Sequence, residues 1–275
     1  MTVAVSRTAA RWRPSAGRVL LVGAVLLVVV AALPWDAVGT DLSQRFAGPS
    51  AQHLFGTDQL GRDVLARLAV GARLSIGFTV VALALCTAIG TVLGLLAGWA
   101  GRVVGQAFQR LIDVLVSIPA IVVGLVVVAA SEDPPDLGTL LLAVVLVGWT
   151  PFARLTFQLA ARERGREYVE GAVALGAGTG RIVFRHVLPN LLRPLGAHAC
   201  LRFANVLLSI AGLSFLGLGA QPPTPEWGAM LAEGRQYMFV APQLVLLPAL
   251  AVVGSALAVT LAGRALERRW DAANG

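Results

Sequence analysis

The chain has 275 residues, of which 57% are hydrophobic and 13% are charged, with a mean hydropathy of +0.77 and a formal net charge of +7. This composition excludes a water-soluble globular domain, in which about a quarter of the residues are charged, and indicates a multi-pass membrane protein. All 22 cationic residues are arginine, and they lie in the gaps between apolar runs, so membrane topology explains them better than nucleic-acid binding.

Six apolar runs are candidates for membrane spans, each of which needs roughly 20 residues. They are 17–34, 76–99, 111–130, 138–153, 195–218 and 243–263. The first run follows arginines, as a signal peptide would, but no small-residue cleavage site follows it, so an uncleaved span is the favoured interpretation. The sequence therefore predicts an all-α membrane protein with six transmembrane helices.

The arginine distribution predicts the orientation. With a cytoplasmic N-terminus, sixteen arginines fall inside and five fall outside: Arg45, Arg62, Arg67, Arg73 and Arg235. The positive-inside rule then places both termini in the cytoplasm. The spans and the arginines divide the chain into 1–70, which holds the N-terminal tail, the first span and an outer segment, 71–264, which holds the other five spans, and 265–275, a cytoplasmic tail.

The second predicted span contains a glycine repeat, and the third contains a proline. Gly90, Gly94 and Gly98 recur every four positions, and small residues on one helix face predict close packing against another helix. Pro119 lies inside the third predicted span and predicts a kink there. From sequence alone, that kink is equally compatible with a purely structural role and with lining a pathway.

The spans lack ionisable residues near their middles. Asp113 and Arg202 lie near span ends, and a proton- or ion-coupled carrier needs charged groups near the midplane, so this pattern argues against secondary transport. Cys86 and Cys200 lie in apolar runs and the three histidines are scattered, so no metal site and no disulfide are predicted.

The segment 154–194 is the long cytoplasmic connection, and most of it is a loop at 160–190. Good helix formers from Tyr168 to Ala177 predict a short helix, and 178–180 reads as a turn before a second helix that ends near Val187. Pro189 disfavours helical backbone at the residue before it. Small residues that include Ala172 and Gly176 predict a smooth face against which another protein docks.

The glycine-rich stretch 176–181 is not a nucleotide-binding loop. A P-loop ends in Gly-Lys-Ser/Thr and follows a strand, and the chain has no lysine. The sequence therefore predicts that the chain itself binds neither ATP nor another cofactor, and no residue is assigned a catalytic role.

The same segment resembles the cytoplasmic coupling motif of ABC-type importer permeases. That motif is Glu-Ala-Ala, three residues, Gly, nine residues, a hydrophobic residue, any residue, then Leu-Pro. Here the matching positions are Glu170, Gly171, Ala172, Gly176, His186, Leu188 and Pro189. The chain departs from the pattern at Gly171, where the motif has alanine, and at His186, where it has a hydrophobic residue.

Two further blocks are similar to the C-type permease subunits of dipeptide, oligopeptide and nickel importers. The first is 53–63 with 71–75, and the second is 213–219 with 221–228. In the first, we predict a turn at 56–58 with Thr57 or Asp58 capping a helix that begins near Gln59. Arg62 and Asp63 are either a solvated pair or a contact with a partner protein. In the second, prolines 222, 223 and 225 predict an ordered outer loop, with Trp227 at the membrane interface.

The resemblance covers about 50–270, and Ile210 stands where the family commonly has a glutamate. It implies the type I ABC importer permease fold, with 71–264 as the permease domain and 160–190 as its coupling loop, and a heterodimer with a homologous permease subunit. It also implies two ABC ATPase subunits, which would bind ATP and Mg²⁺ and contact the coupling motif, an outer substrate-binding protein, and surrounding membrane lipid. Di- or oligopeptides are the cargo that it implies first, with nickel, haem or glutathione as alternatives.

Overall fold

The computed structural model describes residues 35–131 and 134–274, and these residues contain helices and no strand. The helices are α1 (Val64–Trp99), α2 (Arg102–Ser117), α3 (Ala120–Ala129), α4 (Leu137–Gly148), α5 (Thr150–Arg164), α6 (Glu167–Ala174), α7 (Thr179–Ile182), α8 (Leu188–Phe215), α9 (Trp227–Gly234) and α10 (Gln243–Asn274). A π-helical segment, Val183–Val187, joins α7 to α8, and short 3₁₀ turns lie at Leu42–Gln44 and Arg235–Tyr237.

Four helices are long and apolar enough to cross a membrane. They are Val64–Trp99, Leu137–Arg164, Thr179–Phe215 and Gln243–Ala265. A fifth span is formed if the bent pair α2 and α3 is counted as one. The predicted first span, 17–34, lies outside the described residues, so the count of six stays a prediction, as does the domain division.

The predicted third span, 111–130, is not one straight helix. It is broken into α2 and α3, which meet at 80°. Pro119 lies at the break and Ile118 before it is extended, with a ψ of 122°, because the proline ring disfavours helical backbone at the preceding residue. The predicted kink at Pro119 is therefore confirmed, and it is sharp enough to end the helix.

The closest helix contact joins α1 to α5. A Cβ built on the backbone would lie 2.6 Å from the Trp149 carbonyl oxygen at Gly90, 2.5 Å from the Ala153 carbonyl oxygen at Gly94, and 3.0 Å from the Ala160 Cβ at Gly98. Successive glycines therefore meet successive turns of α5, and the two helices run parallel. Hydrogen at these positions is what lets the two backbones approach so closely.

The parallel packing defines the two ends of the bundle. The N-terminal ends of α1 and α4 lie at the end that the arginine distribution assigns to the outside, together with α9. The C-terminal ends of α1 and α5 lie at the cytoplasmic end, beside α6 and α7. Apolar clusters fill the space between, one around Leu207 and Trp227 and another around Phe152 and Leu191.

Candidate functional sites at the two ends of the bundle

The coupling loop, residues 160–190, lies at the cytoplasmic end of the bundle, and its part 165–187 folds back onto that end. Val169, Ile182 and Val187 are buried and belong to one apolar cluster with Phe152 of α5 and Leu191 of α8. The loop is therefore packed on the ends of two spans.

Gly176 lies beyond the end of α6, and not within a helix as the sequence pattern indicated. Its φ is +78°, a left-handed conformation that glycine adopts without strain. The Gly176 amide donates to the Val173 carbonyl and the Ala177 amide donates to the Ala172 carbonyl, at 2.9 and 3.0 Å. These two bonds form a Schellman cap. Glycine is required here by the backbone of this chain, so docking is not needed to explain it.

Tyr168 connects three parts of the coupling loop. Its hydroxyl donates to Glu163 Oε2 at 2.6 Å, accepts a long bond of 3.5 Å from Asn190 Nδ2, and its ring lies 6.4 Å from the ring of His186. Partial burial, and then the bond to Glu163, raise the pKa of Tyr168, so the phenol stays a protonated donor at neutral pH. His186 is thus half-buried against an aromatic ring, which explains how it occupies a position that the motif gives to a hydrophobic residue.

The outward surface of the coupling loop is exposed and apolar. A Cβ at Gly171 would meet nothing of this chain within 4 Å, and Glu170 beside it is exposed. Leu175 is 90% exposed and Phe184 is 71% exposed, although both lie in a segment outside the apolar runs. Exposed apolar surface of this kind marks a site of protein interaction. Sequence reasoning missed Leu175 and Phe184, which differ from the buried Val169, Ile182 and Val187 only in the direction they face.

Pro189 does not end the second helix, contrary to the sequence prediction. Leu188 is helical, with φ −54° and ψ −43°, and its amide donates to the Val183 carbonyl in the wider i→i+5 pattern. The π turn opens the backbone just before the proline, whose missing N–H and bulky ring would otherwise disturb a regular α-helix. One continuous helix of 37 residues, Thr179–Phe215, therefore joins the coupling loop to the outer end of the bundle. Leu188 is half-buried in it, and Pro189 is exposed.

At the outer end, the segment 53–63 begins α1 in a different way from the one predicted. Asp63 is the N-cap, since its carboxylate accepts from the Ala66 amide at 2.7 Å, and it also pairs with His53 at 2.8 Å. Asp58 closes a tight turn by accepting from the Leu60 and Arg62 amides. The predicted cap at Thr57 or Asp58 is wrong, because Asp63 supplies the cap. The solvated Arg62–Asp63 pair is also wrong, because Arg62 is buried and pairs with other carboxylates, whereas the alternative, a contact with a partner protein, stays a prediction.

Arg62 belongs to a buried cluster of four charges. Its guanidinium lies 2.6 Å from Asp58 and 2.6 Å from Glu233, and its side chain is only 2% exposed. Arg67 completes the cluster at 3.1 Å from Glu233 and 3.6 Å from Asp58. Two positive and two negative side chains thus balance each other, and they join the segment before α1 to α9.

Glu226 forms the second outer contact and is fully buried. It caps α9 by accepting from the Gly228 and Ala229 amides at 2.9 and 3.0 Å, and it accepts from the Ser75 hydroxyl of α1 at 3.0 Å. The Ser75 oxygen in turn accepts from the Trp227 amide at 3.0 Å. The close approach needs glycine, because a Cβ at Gly71 would lie 2.4 Å from the Pro225 carbonyl oxygen.

Trp227 is fully buried within the protein, so its ring is not exposed to lipid headgroups, and its predicted position at the level of the membrane interface stays a prediction. Its indole N–H donates to the Leu68 carbonyl at 3.1 Å, and its ring packs with Phe203 and Leu207. The two sequence blocks around 53–75 and 213–228 are therefore parts of one outer assembly. Sequence reasoning identified both blocks but could not place them in contact.

The family model for "Binding-protein-dependent transport system inner membrane component" matches residues 90–272. The chain belongs to this family. It is accordingly a multi-pass protein of the inner membrane and a permease component of an ABC importer.

Relatives of this permease match along most of its length. It is 38% identical over 259 residues to the dipeptide transport system permease protein DppC of Alkalihalophilus pseudofirmus, covering 93% of this chain and 84% of that protein. It is 40% identical to the di/tripeptide transport system permease protein DppC of Pseudomonas aeruginosa, covering 90% and 85%. The glutathione transport system permease protein GsiD of Pectobacterium atrosepticum is 36% identical, covering 92% and 84%.

A solved structure matches the fold. An inward-facing structure of the MetNI methionine ABC transporter superposes with a TM-score of 0.58 at 18% identity, covering 73% of this permease and 95% of the matched chain. The described helices thus have the type I ABC importer permease fold. Within the described ranges, no three His, Cys, Asp or Glu residues lie together as a metal site would require.

Ile210, the position at which the resemblance implies a glutamate, is fully buried in this permease. It packs in an apolar cluster with Leu140, Val144, Val206 and Leu213. The departure therefore places an apolar side chain in an apolar setting. A carboxylate there would need a partner that these neighbours do not supply.

Proposed function

We propose that this chain is one of two permease subunits in an ATP-driven importer of di- or oligopeptides. The observation that supports this best concerns the coupling loop, which packs one side on the ends of two spans and exposes apolar side chains on the other side. ATPase subunits would bind that surface through Gly171, Leu175 and Phe184, with Glu170 beside them. When ATP binding closes the ATPase pair, the loop would move and turn α5 and α8 between inward- and outward-facing arrangements.

The energy source would lie outside this chain. Without a lysine it has no P-loop, so ATP and Mg²⁺ would be bound by two partner ATPase subunits and not by the permease. The chain is thus proposed to be a transport subunit with no enzymatic activity of its own. A homologous permease subunit and an outer substrate-binding protein would complete the complex.

A polar side chain on the outer surface of α8 is evidence for contact with a second permease subunit. Asn205 is exposed in the middle of α8 and lines an open cavity of about 470 Å³ between α3 and α8, with Ser209 and Gly212. An amide in contact with lipid tails lacks hydrogen-bond partners, so polar residues in spans face a protein or a water-filled path. We therefore place the pathway and the partner permease on this side of α8.

The peptide cargo is proposed from the relatives. Two of them are named for dipeptide or di/tripeptide transport, and one is named for glutathione, itself a small peptide. Nickel and haem remain alternatives within the same machinery. The rival from another class, a self-sufficient secondary carrier, is disfavoured because the matching family model describes a component of a binding-protein-dependent transport system. Arg202, which the sequence analysis placed near a span end, lies in the central part of α8, so charge placement does not argue against a carrier.

The deciding experiment is a mild-detergent pull-down of the tagged chain co-expressed with candidate ATPase and permease subunits. Peptide-responsive ATPase activity should co-purify with the wild type and with the control Leu42→Ser, which removes an apolar side chain that is 64% exposed at the outer end. The double variant Leu175→Ser, Phe184→Ser should reach the membrane but lose the ATPase. A chain that transports peptide alone in liposomes would establish the carrier instead.

A further inference from the structure

An open cleft of about 590 Å³ lies at the cytoplasmic end of the bundle, between α2 and the ends of α1 and α5. Its lining consists of Gly98, Gly101, Arg102, Gly105, Gln106, Gln109, Arg110, Phe157, Ala161 and Arg164. Three of these residues are arginines, two are glutamines and none is acidic. The cleft is separate from the exposed surface of the coupling loop, and the proposed function assigns it no role.

The amphipathic pattern of α2 produces this cleft. Arg102, Gln106 and Arg110 recur every four positions and therefore share one helix face. The helix leans on α5 at Gly105, where a Cβ would lie 2.8 Å from the Phe157 ring, and at Phe108, whose ring is 6.3 Å from that of Phe157. Because this contact is small, the polar face is left over an open space and not buried in a helix interface.

The positive charge in the cleft is uncompensated within residues 35–131 and 134–274. No described acidic side chain forms an ion pair with Arg102, Arg110 or Arg164. Asp113, which lies three residues after Arg110 on α2, is paired with Arg154. The Gln109 side-chain nitrogen is buried and has no described partner. The N-terminus of α2 also opens here, and its N-cap Gly101 supplies no side-chain cap. Every one of these groups favours an anion.

We propose that this cleft binds the phosphate of an anionic phospholipid in the cytoplasmic leaflet. A guanidinium group can donate two parallel hydrogen bonds to two phosphate oxygens. Basic pockets between spans on the cytoplasmic side bind anionic lipid headgroups. The cleft has the volume of a small-molecule site. Val103, next to Arg102 and 80% exposed, offers apolar surface to the acyl chains, which a free phosphate would not need.

The bound headgroup would affect the transmission of motion. Arg164 is the last residue of α5, three positions before α6 begins at Glu167, and its guanidinium already donates to the Trp99 carbonyl of α1 at 3.3 Å. A phosphate shared by Arg102 and Arg164 would fix α2 against the end of α5. The lipid would therefore steady the end of α5, which precedes the part of the coupling loop at 165–187.

The test is native mass spectrometry of the full chain in detergent, titrated separately with phosphatidylglycerol, phosphatidylcholine and inorganic phosphate. The double variant Arg102→Gln, Arg110→Gln should bind phosphatidylglycerol roughly 30-fold more weakly than the wild type, since each arginine near an anionic headgroup contributes about a factor of five. The control Arg162→Gln, Arg193→Gln removes the same charge from exposed positions outside the cleft and should bind like the wild type.

Four outcomes would overturn the proposal. Equal binding of phosphatidylcholine would mean that the anionic charge is not recognised, and equal losses in the variant and the control would mean a diffuse charge effect. Displacement of lipid by inorganic phosphate at comparable concentration would make this a free-phosphate site. Displacement by added ATPase subunits would make it a protein contact.

Thermal unfolding of both double variants is the control for folding. Unchanged unfolding would show that the losses of lipid binding are not caused by misfolding, and none of the readouts depends on transport.

Discussion

The hydroxyl of Ser75 and the carboxylate of Glu226 lie 3.0 Å apart, although 151 positions separate them in the chain. Three donors satisfy the buried carboxylate: this hydroxyl and the amides of Gly228 and Ala229. A buried charge is stable only with such partners. The contact therefore fixes the start of α9 on α1, next to the buried cluster around Arg62 and Glu233.

Replacing Ser75 by alanine should destabilise the outer assembly. The change removes one donor to Glu226 and leaves the buried Trp227 amide without its acceptor, and each unsatisfied buried group costs about 1–3 kcal/mol. Thermal unfolding in detergent measures the loss. The control is Thr260→Ala, because the Thr260 hydroxyl donates only to a carbonyl of its own helix, at 2.7 Å from Ala256. Equal melting temperatures for the two variants would mean that the contact contributes nothing.

The Arg62→Met variant should lose more stability than the Ser75→Ala variant. Arg62 is buried between two carboxylates, and removing one partner of a buried ion pair costs about 3–5 kcal/mol. Without Arg62, Arg67 alone would face both Asp58 and Glu233, which leaves one buried negative charge uncompensated.

The Arg45→Met variant, at an exposed position, loses a hydrogen bond to the Gln59 carbonyl, at 2.8 Å, and a cation–π contact with Phe46, and should lose little stability. The measurements are thermal unfolding and limited proteolysis of the segment before α1.

A double variant shows whether the charge balance is the cause. Arg62→Met combined with Glu233→Met restores neutrality and should regain part of the stability that Arg62→Met loses. If the double variant is as unstable as the sum of the two single variants, the side chains act independently and the cluster is not a coupled unit.

Features that depend on local spacing could be predicted from the sequence. Helical content, the spans within residues 76–263 and the break at Pro119 follow from composition and proline chemistry. The glycine spacing of α1 pointed to a close helix contact, and that face does lie on α5. What failed depends on partners far away in the chain. Arg62 forms an ion pair with Glu233, and the Trp227 indole donates to the Leu68 carbonyl. In both pairs the partners are far apart in the chain, and no local pattern indicates such a pairing.

Local preference was also overridden at two positions. Pro189 predicted a helix end, but the preceding π turn accommodates its ring and the helix continues. Gly176 was assigned to a helix face by its spacing from Ala172, but a cap with positive φ uses it instead. Both cases concern backbone hydrogen bonding that side-chain spacing does not reveal.

Docking at the coupling loop is best tested at Gly171. A Cβ there meets nothing of this chain, so Gly171→Trp should leave thermal unfolding unchanged and lower substrate-stimulated ATPase activity at least about tenfold, since a clash at a tight interface costs more than 1.4 kcal/mol. Gly176→Trp is a poorer test, because positive φ at Gly176 strains any other residue.

The control for this prediction is Gly171→Ala, which adds one methyl group and improves helix propensity. It should retain transport and gain up to about 1 kcal/mol of local helix stability. If Gly171→Trp transports peptide normally at normal protein level, the coupling surface lies elsewhere on the loop.

The contact between α1 and α5 can be tested within one helix, because Gly94 and Gly77 differ only in their surroundings. A Cβ at Gly94 would lie 2.5 Å from the Ala153 carbonyl oxygen, which belongs to backbone and cannot move cheaply, whereas a Cβ at Gly77 would meet nothing within 4 Å. Gly94→Ala should therefore destabilise the permease by about 1–3 kcal/mol, as overpacking does, while Gly77→Ala should not. Thermal unfolding in detergent compares the two. Equal stability would show that the helices separate to accept a methyl group, and that close backbone approach at Gly94 is not needed for the fold.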